Sequence, residues 1–368
     1  VTVVFAGGGT GGHLYPAIAI ADALRARGAH IAFVGTKDRL EATIVPKAGY
    51  ELHAIASRPL TRRVSFELVR TAVANFAGTL QSANILARLR PDALIATGGY
   101  VCFPVVLAAR VLRFAGAFRG PIALLEPNAH PGLTNRLLAP MVDEVWGAFP
   151  DSDRRFAGKY AQTGIPIRAS LRSLPARDEA IERLGLRRQR KTLLAMGGSQ
   201  GARTINDALA ALVKADALPP GWQLIHVTGE REYDRVSAAL GKSEAAVRPY
   251  LHDLSDAYAA ADLVLARAGA STLGELTALG KPAILVPYPF AAEDHQAANA
   301  ARFAQAGAAV VVADRELVAG RLRSALAEAA APQRLEAMQA AAARLRADDP
   351  VATILARVDS LIARRKKP

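Results

Sequence analysis

Two Rossmann-like parallel-sheet halves of the α/β class are predicted for this chain, on three observations. A strand, a glycine turn and a helix open it: Val3-Val4-Phe5-Ala6 runs into Gly7-Gly8-Gly9-Thr10-Gly11-Gly12-His13 and then a helical stretch over 14–24. A related arrangement recurs at mid-chain, where an apolar strand over 192–196 meets Gly197-Gly198-Ser199-Gln200-Gly201-Ala202. The strands are almost wholly apolar and alternate with helices, as a parallel sheet covered on both faces requires. The length of 368 residues also exceeds what one hydrophobic core organises. Domains are predicted over 1–164 and 165–349, with a last helix from about 350 to 368 packing back on the first.

In order, the opening glycines allow positive φ and close approach of a ligand, and the helix beyond them aims free N–H groups and its positive dipole end at the same space. That is an anion site. Residues 29–35 read as a second strand and 51–55 as a third. Helical periodicity runs from Phe66 toward Leu89 and stops before Pro91. A strand at 93–96 leads to Gly98-Gly99-Tyr100, and strands at 121–125 and 144–147 complete the half. Gly164 and Pro166 predict an extended hinge. The second half restarts with the strand at 192–196, a helix to 213 and strands at 223–228, 262–265, 283–286 and 309–312. From 335 the chain is alanine-rich and helical, with a break at Asp348-Asp349-Pro350 before the last helix and its basic tail. Ligands of open parallel sheets bind beyond the carboxyl ends of the strands, so a cleft between the halves is the expected site.

Composition narrows the classes. Charged residues at 21% and hydrophobic ones at 51% fit a folded globular protein. No apolar run of about 18 residues predicts a membrane span, and no secretory leader is expected. The single cysteine, Cys102, excludes an intrachain disulfide and suits a reducing cytoplasm. The net charge of +13 calls for an anionic partner or reflects a generally arginine-rich composition. It is spread almost evenly over both halves and no nucleic-acid-binding signature accompanies it, so nucleic acid is not expected.

Gly7-x-Gly9-x-x-Gly12 matches the dinucleotide fingerprint, but the second strand ends Val34-Gly35-Thr36-Lys37, without the acid that would hold a ribose. No Walker lysine follows either turn. His13, at a helix start, is either a general base near neutral pH or a residue that only hydrogen-bonds the turn. Arg267-Ala268-Gly269-Ala270-Ser271-Thr272-Leu273-Gly274-Glu275 follows an apolar strand. Its amides and hydroxyls suit a diphosphate, and Glu275 suits a vicinal diol or, alternatively, a helix cap. Asp151-Ser152-Asp153 has the form of a metal-binding Asp-x-Asp but reads as surface or helix cap, so no ion is assigned.

Taken together and in this order, the segment 7–13, Gly98-Gly99-Tyr100, Glu126-Pro127-Asn128, Gly132-Leu133-Thr134-Asn135, the segment 197–202, and those at 267–275 and 293–299 resemble the MurG family, the family-28 glycosyltransferases of peptidoglycan synthesis. The resemblance spans about residues 2–313. Pro127 stands where the family commonly has glutamine, and His252 precedes Asp253 where an acidic pair is frequent.

The resemblance implies a GT-B fold, no cofactor and no essential metal. It implies transfer of N-acetylglucosamine from UDP-GlcNAc to the 4-hydroxyl of undecaprenyl-pyrophosphoryl-MurNAc-pentapeptide. The donor would lie mainly on the second domain, with Arg168 and Ser199 on the nucleotide, the Leu251 backbone on uracil, and Ala270, Ser271, Thr272, Leu273, Gly274 and Glu275 on diphosphate and ribose. Asn128 and Gln296 would hold the sugar, Thr10, Gly11 and Gly12 would close over the donor or meet the acceptor diphosphate, and His13 would be the base. An acceptor in a bilayer implies a peripheral protein on the cytoplasmic face of the plasma membrane, with cell-wall synthesis and division proteins as partners. Arg62 and Arg63 with Val64, Phe66, Leu68 and Val69, and Arg110, Arg113 and Arg119 with Leu112, Phe114 and Phe118, are the expected contacts with anionic lipid, the alternative being ordinary core-facing helices. Another GT-B enzyme of UDP-sugars, such as an epimerase or a glycolipid transferase, and a non-catalytic nucleotide-sugar binding protein are the competing functions.

Overall fold

The computed structural model describes residues 1–59, 66–149, 156, 158–198, 201–241, 245–291, 294–346 and 348–366. They form two compact units: Val1–Arg168 with Asp348–Pro368, and Ala169–Ala347.

The first unit carries β1 (Thr2–Ala6), α1 (Gly11–Ala26), β2 (His30–Gly35), α2 (Leu40–Lys47), β3 (Glu51–Ala54), α3 (Phe66–Leu89), β4 (Ala93–Ala96), α4 (Cys102–Phe114), β5 (Ile122–Glu126), α5 (Leu133–Leu138), β6 (Glu144–Gly147) and β7 (Tyr160–Gln162). Its seven strands are parallel in the order β3-β2-β1-β4-β5-β6-β7. Both faces of β1 are buried, Val4 and Ala6 in one apolar cluster and Val3 and Phe5 in the other. This is why the strand reads as a continuous apolar run rather than an alternating one.

The second unit carries α6 (Arg177–Arg183), β8 (Lys191–Met196), α7 (Arg203–Lys214), β9 (Trp222–Val227), α8 (Tyr233–Leu240), β10 (Ala246–Arg248), α9 (Ser255–Ala260), β11 (Leu263–Ala266), α10 (Ala270–Leu279), β12 (Ala283–Leu285), α11 (His295–Gln305), β13 (Ala309–Val311), α12 (Ala319–Ala330) and α13 (Pro332–Arg344). Its strands are also parallel, in the order β10-β9-β8-β11-β12-β13. In each sheet the order reverses beside the first strand, at β1/β4 and at β8/β11. Those reversals are where doubly wound sheets open a crevice for ligands.

The last helix, α14 (Pro350–Lys366), belongs to the first unit. Val351, Ile354, Leu355 and Val358 enter the cluster built on Phe5, Leu14 and Ile20. Arg357 donates to Glu144 at 2.7 Å and Arg27 to Asp359 at 3.1 Å.

Candidate active site

At the β1/β4 reversal, Gly9 takes φ 83°, a conformation that favours glycine, and turns the chain into α1. Thr10 is exposed and extended at the helix N-cap; its side chain makes no capping bond. Gly11, Gly12 and His13 form the first turn and are half-buried. The His13 Nδ1 lies 2.9 Å from the Thr97 carbonyl oxygen, beyond the end of β4. A carbonyl only accepts, so Nδ1 carries the hydrogen, and Nε2 is the basic nitrogen of the neutral ring. Only a residue without Cβ allows this approach, since a Cβ on Gly98 would stand 2.5 Å from Nδ1. His13 thus does bond a turn, though the neighbouring one, and the bond fixes its tautomer.

Beyond β5 the carboxyl group of Glu126 organises the loop that holds Asn128. Its Oε1 accepts the Asn128 N–H at 2.9 Å and Nδ2 at 3.0 Å, and its Oε2 accepts the Gly132 N–H at 3.1 Å and Asn135 Nδ2 at 2.9 Å. Burial pushes Glu126 up to about 7, against the pull of these donors. Sequence reasoning quoted Glu126 without giving it a role; its signal is an acid closing an otherwise apolar strand. Arg168 falls in the first unit, not beyond the hinge at 165, with its guanidinium 4.6 Å from the centroid of the Tyr15 ring.

At the β8/β11 reversal, α10 begins at Ala270 behind Gly269, which has no side chain to cap it, so its first-turn amides have no intrahelical partner. The Ser271 hydroxyl is buried and has no hydrogen-bond partner among the described residues. Thr272 is half-buried; Leu273, Gly274 and Glu275 are buried. Glu275 is not a capping carboxylate: its Oε2 accepts the hydroxyl of the fully buried Tyr258 at 2.7 Å. Gln296 is the second residue of α11 and its Oε1 accepts the Tyr288 N–H at 3.0 Å. Asn299 ties the same helix to the Ala268 carbonyl at 3.2 Å. Arg267 donates to the Val286 carbonyl, to Asp314 and to the Thr204 hydroxyl, joining the segments after β12 and β13 to the first turn of α7. Leu251 follows β10 between Tyr250 and His252, whose rings meet edge to face at 5.0 Å. Ser199 and the Asp151-Ser152-Asp153 segment lie outside the described residues. Among the described residues no three His, Cys, Asp or Glu side chains gather as a metal site.

Both units match family models along most of their length: the glycosyltransferase family 28 N-terminal domain over residues 3–146 and the glycosyltransferase family 28 C-terminal domain over 192–354. The chain belongs to glycosyltransferase family 28. Similar family 28 proteins include the UDP-N-acetylglucosamine–N-acetylmuramyl-(pentapeptide) pyrophosphoryl-undecaprenol N-acetylglucosamine transferases of Moorella thermoacetica and Desulforamulus reducens. The first is 43% identical over 357 residues, covering 93% of this chain and 94% of its own. The second is 38% identical over 377 residues, covering 99% of both. Among solved structures, MurG of Acinetobacter baumannii matches with a TM-score of 0.76 at 24% identity, over 98% of this chain and 99% of its own. The fold is therefore GT-B.

Only part of the expected lipid contacts of this family 28 chain lies within the described residues. Arg62, Arg63, Val64 and the Phe66 side chain lie outside the described residues. Leu68 is half-buried, while Val69, Val73, Phe76 and Leu80 form an outer stripe of α3, each between 57% and 67% exposed. The inner face of α3 is small and polar from Thr71 through Asn75 and Gly78 to Ser82, and turns apolar only at Ile85 and Leu86, which join the core. Asn75 accepts from the Ser57 hydroxyl and the Arg58 N–H and donates to the Arg58 carbonyl, which sets the phase of the helix. On α4, Val111 and Phe114 are exposed, but Phe118 is buried. Arg113 turns inward to Asp143 at 2.8 Å and the Gly120 carbonyl at 2.6 Å, so it is a core residue and not a lipid contact. Among the described residues no helix is long and apolar enough to cross a membrane.

Proposed function

We propose that this chain transfers N-acetylglucosamine, with inversion, from UDP-GlcNAc to the 4-hydroxyl of MurNAc in undecaprenyl-pyrophosphoryl-MurNAc-pentapeptide, a step of peptidoglycan synthesis. The observation that carries this reading is the match, from end to end, with relatives that bear that activity in their names. The local chemistry agrees with it. His13 Nε2 takes the proton of the acceptor hydroxyl as its oxygen bonds to the anomeric carbon. The bond from that carbon to the UDP oxygen breaks, and UDP leaves with the electron pair. The α10 amides and the Ser271 and Thr272 hydroxyls stabilise the diphosphate, and Glu275 takes the ribose. Asn128, held by Glu126, and Gln296, held by the Tyr288 backbone, bind the sugar. Arg168, Ser199 and the Leu251 backbone serve the nucleotide, and Thr10, Gly11 and Gly12 serve the acceptor diphosphate.

The chain works as a peripheral protein at the cytoplasmic face of the plasma membrane. Support comes from α3, which from Val69 to Ser82 inverts the usual arrangement by burying small polar residues and exposing large apolar ones. Exposed arginines, among them Arg70, Arg110 and Arg119, flank the apolar side chains and suit anionic headgroups.

Purified protein incubated with labelled UDP-GlcNAc is expected to label a lipid-linked muramoyl-pentapeptide and to release UDP only when that acceptor is present. UDP release without acceptor would overturn the reading in favour of an epimerase, and donor binding without turnover in favour of a binding protein.

A further inference from the structure

The turn that carries His13 rests on a buried carboxylate with no part in the chemistry above. Glu41, the second residue of α2, is fully buried. Its Oε2 accepts the Gly9 N–H at 2.9 Å, and its Oε1 accepts the Thr36 N–H at 3.1 Å and the Thr36 hydroxyl at 2.6 Å. All three partners donate to it. It also fills the space beside its neighbours: a Cβ at Gly8 would stand 2.5 Å from Oε1, and one at Gly35 would stand 2.8 Å from Cγ. On the opposite side, Gly99 packs against the Gly8 carbonyl and Gly98 against the imidazole. A dinucleotide-binding unit turns the acid after β2 outward to a ribose. In this chain the acid nearest the end of β2, Asp38, is exposed, and the next one, Glu41, folds inward, beneath the glycines.

We propose that Glu41 is a positioning residue: by holding the Gly9 amide it fixes the Gly9–His13 segment against Thr97, and it acts on transfer through His13 without touching either substrate. The proposal rests on the reading of His13 as the base.

The test is Glu41→Gln. It keeps the shape but presents an amide NH2 to one of the three donors, so a bond is lost. Hydrogen exchange of the peptide over residues 5–14 is expected to quicken about tenfold or more at the Gly9 amide. With lipid acceptor, kcat is expected to fall about 10- to 100-fold while the donor KM stays within about twofold. In a His13→Ala background the same substitution is expected to change the residual rate by less than about threefold, because there is no base left to position. Unchanged exchange at Gly9, a donor KM that rises with kcat intact, or an equal loss in both backgrounds would overturn the proposal. If Glu41→Gln does not fold, Thr36→Val, which deletes only the hydroxyl donor, is read in the same way, with about a threefold fall in kcat expected. Full turnover by His13→Ala would remove the base reading and with it the link to catalysis; the exchange measurement separately decides whether Glu41 holds the turn.

Discussion

His13 owes its basic nitrogen to a carbonyl 84 residues away, Thr97. His13→Ala is expected to lower kcat by about 10²- to 10⁴-fold, with UDP-GlcNAc affinity, measured by calorimetry, unchanged. Glu275 depends in the same way on the Tyr258 hydroxyl. Tyr258→Phe is expected to raise the donor KM about three- to tenfold at constant kcat, and a donor lacking the ribose hydroxyls would not register the change. The positions of His13, directly after the glycines, and of Glu275, one turn into a helix after an apolar strand, were legible in the sequence. Their orienting partners were not. Thr97 and Glu41 reach His13 and its turn from separate elements of the first unit, and in the second no spacing rule connects a buried tyrosine on α9 to a carboxylate on α10.

The strands were legible as elements because both faces of each sheet are covered and the strands are correspondingly apolar. The exceptions, β7 and β10, are short edge strands whose exposed or half-buried polar residues, Gln162 and Arg248 among them, leave no apolar run to read. The existence of α3 was legible, and Val69 was read as an outward lipid contact or, alternatively, as part of a core-facing helix. What was not legible is the polar tie of Asn75 to residues 57 and 58, which turns Val69, Val73, Phe76 and Leu80 out. Replacing Phe76 and Leu80 together by serine is expected to weaken co-sedimentation with phosphatidylglycerol vesicles at low salt by about tenfold or more, without lowering the melting temperature. The last helix behaves in the opposite sense. Ile354 is fully buried in the first unit, and Ile354→Ala is expected to cost that unit about 2–5 kcal/mol in denaturant unfolding while leaving the transition of the second unit in place.

Across the whole molecule, one buried group in each unit is shifted so that the two act on stability in opposite directions with pH. Burial pushes Glu126 in the first unit up to about 7, so its contribution is full below pH 4.5 and is lost as pH rises toward 7. Burial pushes His226 in the second unit down to about 4, so its contribution is full above pH 6.5 and is lost as pH falls toward 4. Each is worth roughly 3 kcal/mol over its window. Scanning calorimetry between pH 4.5 and 6.5 is expected to show the first-unit transition moving down and the second moving up as pH rises; Glu126→Gln flattens the one and His226→Gln the other. Two units were legible from the repeated turn. Their charge logic was not, since it depends on burial that only the assembled sheets create. The first unit is also interrupted in the chain, and this bears on synthesis. At roughly 5–20 residues per second, a ribosome takes on the order of ten seconds or more after Arg168 to deliver α14. Through that interval the nascent first unit bears an uncovered apolar face beside Phe5, Leu14 and Ile20, so the contiguous second unit is the first whose residues are all available to fold.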